Sequence, residues 1–310
     1  MKKTMKQIIM IMGILAIGLL VACGNEKTEK AADKKPEMHT VKTSEGDVKV
    51  PKKPKRVLVQ YVIGDAYALG VTPVGISNVL KGSALEDVFD SKKTKDLGAW
   101  DAWDEEAVLA LEPDLIIVID KKAVAKLGKI APTVYMPYDK LTTEERVTFM
   151  GELLGKQAEA KKALADYEKN VDTSHNKLMA AGYDKLTVSN FEGGLKEMNI
   201  NGKKYGIGAI AYESLKLKAP EAIQKKIIDK DKFNVAVSLE VLPEYAGDVI
   251  IRNTYEGMDD MNKSKIWTNL PAIKNNRLVE MPFALGFYTD LYSANKQVDF
   301  VRDKLIKVAK

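Results

Sequence analysis

One cysteine and two histidines are all the soft-metal and redox chemistry that a chain of 310 residues offers. A lone thiol cannot close an internal disulfide, and histidines as far apart as His39 and His175 do not make a histidine-rich zinc or heme site. Arginine is scarce too, with only Arg56, Arg146, Arg252, Arg277 and Arg302. Aromatic residues make up 7% of the chain, so the places where they cluster carry information. A formal net charge of +5 is too slight an excess of one sign to argue for nucleic acid. No histidine is paired with a candidate nucleophile, and no phosphate loop or carboxylate dyad stands out, so an extracytoplasmic enzyme is left without a reaction to name. The chain is also 45% hydrophobic, with 21 Gly and 11 Pro. That composition excludes fibrous, collagen-like and wholly disordered readings, and the length leaves room for two lobes of ordinary size.

The first residues state a destination. Lys2, Lys3 and Lys6 precede an uncharged apolar run over 8–22, whose 15 residues fall short of the roughly 20 that a membrane span needs. The run ends in Leu20-Val21-Ala22-Cys23-Gly24, which resembles the lipobox of bacterial lipoproteins. That likeness implies a signal peptide over 1–22 and a lipidated Cys23; the bland alternatives are an ordinary signal peptide or a buried cysteine. Removal of 1–22 with its three lysines would lower the net charge from +5 to +2, so electrostatics names no partner. Residues 25–37 contain no large apolar side chain and cannot offset their own ordering entropy, so 23–38 is expected to be a tether holding the body off a membrane. The expected location is extracytoplasmic, with the lipid as the only membrane contact.

The body reads as an α/β protein of two Rossmann-like lobes joined by a single long α-helix, with a ligand cleft between the lobes. The alternating stretch 39–50 around Glu45-Gly46-Asp47 predicts a hairpin, followed by the buried strand Val57-Leu-Val59. Apolar runs at 115–119 and 133–135 then alternate with helix-like stretches, the pattern of a parallel sheet flanked by helices over 39–141. Thr142-Thr-Glu-Glu145 resembles a helix start, and Phe149, Leu153, Ala160, Leu164, Tyr167, Val171 and Leu178 continue one apolar stripe. The spacing predicts one bridging helix over 142–181, about 55 Å at 1.5 Å per residue, more than one lobe needs. Strand-like runs resume at 186–191, 235–237, 249–251 and 278–281, a second lobe over 182–310 closed by a helix at 294–308.

Five motifs then become specific in combination: Pro51-Lys-Lys-Pro-Lys-Arg-Val57, Ala68-Leu-Gly-Val-Thr-Pro-Val-Gly75, Glu106-Ala-Val-Leu-Ala-Leu-Glu-Pro-Asp-Leu-Ile-Ile117, Ala131-Pro-Thr-Val134 and Trp267-Thr-Asn-Leu-Pro-Ala-Ile273. Together, in order, over essentially the whole mature chain, they resemble the substrate-binding lipoproteins of iron-siderophore ABC importers, the helical-backbone periplasmic binding proteins. The stretch from Glu244-Tyr-Ala-Gly-Asp248 to Phe300-Val-Arg-Asp-Lys304 is most similar to Gram-positive ferric-hydroxamate binding proteins. The resemblance implies a monomeric, non-enzymatic protein with no cofactor, whose ligand is a ferric siderophore with the iron held by the siderophore and by no protein residue directly. It also implies an ABC permease and its ATPase as partners. Heme, cobalamin or a catecholate siderophore on the same fold are the nearest alternatives.

Most motif residues are scaffold, with turns at strand ends and Trp267 as a core anchor. Ligand contacts belong outside the carboxyl ends of the strands. Tyr61 follows the strand at 57–59. Trp100 and Trp103 lie in the polar loop Asp96-Leu-Gly-Ala-Trp-Asp-Ala-Trp103, where they either wall a pocket or share a core face. Lys121 and Lys122 follow the strand at 115–119, and Tyr138 follows the one at 133–135. In the second lobe, Asn201-Gly-Lys-Lys-Tyr-Gly-Ile-Gly208 offers Lys204 and Tyr205, where the resemblance implies a loop often carrying Trp and Arg. Arg252 directly follows the buried run 249–251, where its fork could donate to oxygens bound to a ferric ion. Tyr255, Phe287, Tyr288 and Tyr292 complete the aromatic set. A ferric tris-catecholate carries about three negative charges and would call for clustered cations, whereas a neutral tris-hydroxamate suits one arginine, a few lysines and many aromatics. By the resemblance, one acidic residue per lobe docks on the permease, and the matching positions are Glu106 and Glu240, with Glu105 and Glu244 as close neighbours.

Overall fold

A computed structural model describes residues 36–204 and 206–309. The expected hairpin forms from β1 (Met38–Thr43) and β2 (Gly46–Pro51), closed by Gly46 at φ +107°, a left-handed conformation that costs glycine little. Its Val41 and Val50 point into the first lobe's core, and Lys121 pairs with Glu45 at the hairpin tip. That lobe is built on a wholly parallel sheet in the order β5-β4-β3-β6-β7, comprising β3 (Val57–Val59), β4 (Gly75–Ile76), β5 (Lys95–Asp96), β6 (Leu115–Val118) and β7 (Thr133–Tyr135). β6 is buried on both faces, as a parallel strand covered by helices must be. The helices that position the site are α1 (Ile63–Ala68), α2 (Glu105–Leu109) and α3 (Lys121–Leu127).

The second lobe departs from the parallel expectation. β8 (Val188–Gly193), β11 (Val249–Thr254) and β12 (Leu278–Pro282) are parallel, but β9 (Met198–Asn201) and β10 (Asn234–Val237) add antiparallel pairs, in the order β10-β9-β8-β11-β12. The link from β8 to β9 is a tight turn, too short for the crossover that parallel strands require. Gly193 at φ +145° makes it possible, because a Cβ there would sit 2.5 Å from the Glu197 carbonyl oxygen.

A single long helix does join the lobes, but it starts later than the expected 142–181, whose first part is a separate helix. α4 (Thr143–Leu154) starts with a full capping box between Thr142 and Glu145, worth about 1 kcal/mol. It stops at Gly155, which adopts φ +64° and passes so close to Lys52 that a Cβ would lie 2.1 Å from the Lys52 carbonyl oxygen. α5 (Gln157–Leu178) then runs between the lobes and ends in a wider turn, Met179–Tyr183, at Gly182. The apolar stripe was continuous across the break because Leu153 and Ala160 both face the first lobe's core. Leu178 belongs to the second core, and Tyr167 packs against both. A final helix, α6 (Leu291–Val308), joins the lobes again: Leu291 is buried in the first core, while Val298, Val301 and Leu305 fill the second.

Candidate functional site

The carboxyl ends of β3 and β6 are tied together by Gln60, which is buried and satisfied at both ends of its amide. Its Nε2 donates to the Trp100 carbonyl at 2.8 Å, and its Oε1 accepts from the Ile119 amide at 2.8 Å. This anchors the loop expected to carry the two tryptophans. The anchored loop and the start of α3 enclose a cavity of about 200 Å3 lined by Trp100, Trp103, Asp120, Lys122 and Lys126. Trp100 is 38% exposed at its rim. Trp103 is only 4% exposed and packs among Leu58, Val108 and Ile116 from the loop, so it belongs to the core as well as to the cavity wall, with its indole Nε1 buried and unpartnered. Lys126 donates to the Trp103 carbonyl at 3.0 Å, which holds that tryptophan's backbone against α3.

Tyr61, one residue further along, reaches across to the second lobe. Its hydroxyl donates to the Phe287 carbonyl at 2.6 Å, and its ring lies 4.9 Å from Tyr138, 5.5 Å from Phe287 and 5.6 Å from Tyr288. Phe287 contacts Phe283 at 5.6 Å, and Phe283 contacts Tyr255 at 6.2 Å. Five rings, Tyr138, Tyr61, Phe287, Phe283 and Tyr255, thus form an unbroken line from one lobe to the other. Phe283 was missed in the sequence; the signal was its place four residues before Phe287 on one short helix, Phe283–Phe287. Tyr255 is 57% exposed at the far end.

Tyr288 serves the lobe junction. It is 2% exposed, and its hydroxyl donates to the Asn78 carbonyl at 2.9 Å while accepting from the Leu80 amide at 3.1 Å. Burial pushes the phenol's pKa up to about 12, so it keeps its proton. Tyr292 sits on α6 beneath the Lys296 ammonium, which pairs with Asp87 at 2.9 Å. Lys204 is not brought to the rings: its ammonium pairs with Asp231 at 2.5 Å and lies over Phe233. Tyr205 and Cys23 lie outside the described residues.

Arg252 lies on β11, between β8 and β12 in the second sheet, paired in register with Phe191 on β8 and Glu280 on β12. It is 5% exposed rather than a surface residue, and its guanidinium stacks on Trp267 at 5.7 Å. Nη2 donates to the carbonyls of Gly193 (3.1 Å) and Asp259 (3.3 Å). Nη1 is only loosely held, 4.0 Å from the Glu280 carboxylate, and Nε is buried with no partner. Burial lowers the guanidinium's pKa against the pull of Glu280 and Asp259, yet an arginine remains cationic. A cavity of about 240 Å3 opens beside it, lined by Arg252, Thr254, Tyr255, Met258, Asp260 and Trp267. Tyr255 therefore links this cavity to the line of rings, and Gln60, which lines the first cavity, directly precedes Tyr61, the second ring of the line. Each cavity alone is below the roughly 300 Å3 of small-molecule sites.

Glu106 lies in the first turn of α2, where the Asp104 side chain caps the helix by accepting from the Ala107 amide at 2.8 Å. Glu240 lies in the single turn Leu239–Val241, its carboxyl held below the usual carboxylate range by the Ser238 hydroxyl. Both are exposed. Their neighbours are engaged, Glu105 lying 3.7 Å from Lys126 and Glu244 pairing with Lys226 at 2.5 Å, whereas neither Glu106 nor Glu240 is ion-paired among the described residues. Among the described residues there is also no cluster of three or more His, Cys, Asp or Glu placed to hold a metal ion, and no helix long and apolar enough to cross a membrane.

Residues 57–285 match the family model described as periplasmic binding protein. The iron(3+)-hydroxamate-binding protein FhuD of Bacillus subtilis is 37% identical over 310 residues, covering 95% of this chain and 96% of that one. Two solved structures share the fold. One is a FhuD fold-family protein of Bacillus subtilis, a periplasmic binding protein component of a Fep/Fec-like ferrichrome ABC transporter (TM-score 0.76, 33% identity, 86% of this chain and 100% of that one). The other is FhuD2 of Staphylococcus aureus with bound ferrioxamine B (TM-score 0.71, 28% identity, 82% and 100%).

Proposed function

The chain belongs to the periplasmic binding protein family, and from that premise we propose that it captures a ferric hydroxamate siderophore outside the cytoplasm and delivers it to an ABC permease. The observation that carries the ligand class is the chemistry of the cleft: a line of five rings spanning both lobes beside one buried arginine with unspent donors. A neutral ferric hydroxamate needs apolar area and a few donors to its oxygens, whereas a catecholate complex of about three negative charges would be opposed here by Asp259, Asp260 and Glu280. The relatives named for iron(3+)-hydroxamate and ferrioxamine B support the same reading.

Energetically, one charge-assisted hydrogen bond from Arg252 supplies about 1.5–3 kcal/mol. Nanomolar affinity requires about 12 kcal/mol, so burial of the rings at about 25 cal/mol per Å2 has to provide most of the remainder. The protein's action is binding and delivery rather than catalysis, with Glu106 and Glu240 as the permease contacts and lipidated Cys23 as the anchor. The test is a titration of the purified protein with a ferric hydroxamate, a ferric catecholate, heme and a corrinoid, followed by absorption and tryptophan quenching. Tight binding of the hydroxamate alone is expected; preference for any of the other three overturns the ligand class.

A further inference from the structure

The second connection between the lobes contains three buried charges that ligand capture does not use. Asp65 on α1 and Arg146 on α4 form an ion pair, Nε to Oδ2 at 2.7 Å, with 0% and 3% of their side chains exposed. Arg146 Nη2 also donates to the Thr289 carbonyl at 2.8 Å, and the Leu291 amide donates to Asp65 Oδ1 at 2.7 Å, so the first lobe grips the start of α6. Immediately between those contacts stands Asp290, fully buried. Its Oδ1 caps α6 by accepting from the Ser293 amide at 2.8 Å, and its Oδ2 has no partner. Gly64 permits this approach: a Cβ there would lie 1.9 Å from Asp290 Oδ1.

The charge count does not balance when both acids are ionised, since one guanidinium faces two carboxylates away from water. The other titratable groups nearby are Tyr167 on α5, which faces Arg146, and Tyr288 on the strand-like approach to α6. Both are phenols whose pKa values are raised by burial, and they add no charge near neutral pH. Burial and the neighbouring Asp65 push the Asp290 carboxyl up to about 7, whereas Arg146 is held charged by Asp65 and Asp290 against its own burial.

We propose that Asp65, Arg146 and Asp290 form a proton-dependent pin between the lobes, neutral and tight while the two carboxylates hold one proton, and loosened when that proton leaves. The consequence is directional. The folded chain holds a proton that the unfolded chain, with an ordinary carboxyl, has already released, so stability falls as pH rises from the ordinary carboxylate range to about 7 and is level above it.

Asp290→Asn tests this, because an amide oxygen can still cap α6 while the NH2 supplies the missing proton permanently. The full chain is unfolded in urea at a series of pH values. The ratio of wild-type to Asp290→Asn unfolding constants is expected to rise about tenfold per pH unit between pH 5 and 6.5 and to flatten above about 7.5. Amide exchange at Leu291 and Ser293, corrected for its intrinsic pH dependence, should accelerate above pH 7 in the wild type and not in the variant. Infrared difference spectra of the wild type supply a readout independent of any variant: the stretch of a protonated carboxyl should disappear between pH 5 and 8. Parallel unfolding profiles for the two chains, or no such titrating carboxyl in the wild type, overturn the proposal, and neither result bears on which siderophore is bound.

Discussion

Replacing Arg252 separates a ligand donor from a structural clamp, since its two ends do different things. Nη2 already holds the carbonyls of Gly193 and Asp259, while Nε is unpartnered and Nη1 is held only loosely by Glu280. If one of those spare N–H groups meets an iron-bound oxygen, its loss removes one charge-assisted hydrogen bond, about 1.5–3 kcal/mol. At 1.4 kcal/mol per decade, the dissociation constant for a ferric hydroxamate rises about 10- to 150-fold. Arg252→Ala also empties the place beside Trp267 and strips partners from two carbonyls, so some stability is lost as well. Arg252→Lys keeps the charge and part of the packing but has no fork with which to donate in two directions, and it should lose most of the same affinity with a smaller effect on the fold. The assay is tryptophan quenching on titration with the ferric hydroxamate, with thermal unfolding measured on each variant. A lysine variant that folds and binds as tightly as the wild type would show that the Arg252 fork makes no contact with the ligand.

Three further outcomes follow from the geometry. Gly155→Ala imposes a Cβ at φ +64° against the Lys52 carbonyl and should cost about 1–3 kcal/mol in urea denaturation, whereas an unchanged midpoint would mean that the break between α4 and α5 is elastic. Glu106→Ala combined with Glu240→Ala should leave siderophore binding in solution intact and abolish iron uptake by cells carrying only the double mutant; normal uptake rejects the docking role, and lost binding reassigns the carboxylates to the fold or pocket. Cys23→Ser should eliminate palmitate labelling, and persistent label would place the lipid elsewhere.

Local patterning determined much of this protein. Period-two alternation around Gly46 made the hairpin, continuous apolar runs made β3, β6, β7 and β11, and the order of these elements sufficed for two αβ lobes with a helix between them, because each depends on neighbours in the chain. Tyr61, Tyr138 and Phe287 could likewise be singled out, since strand ends and aromatic clusters are visible without coordinates. The tertiary structure decided what long-range contact decides. Gly155 lies inside an unbroken apolar stripe, and the helix stops there because of Lys52, about a hundred residues earlier in the chain. Tyr288 and Phe287 are adjacent in the chain, yet one became a buried lobe pin and the other part of the ring line, since only the first meets Asn78 and Leu80. Lys204 stood in a suitable loop and was drawn to Asp231. The Asp65–Arg146–Asp290 cluster could not be read at all: its charges are distributed over more than two hundred residues, and their burial together exists only because α6 returns to the first lobe.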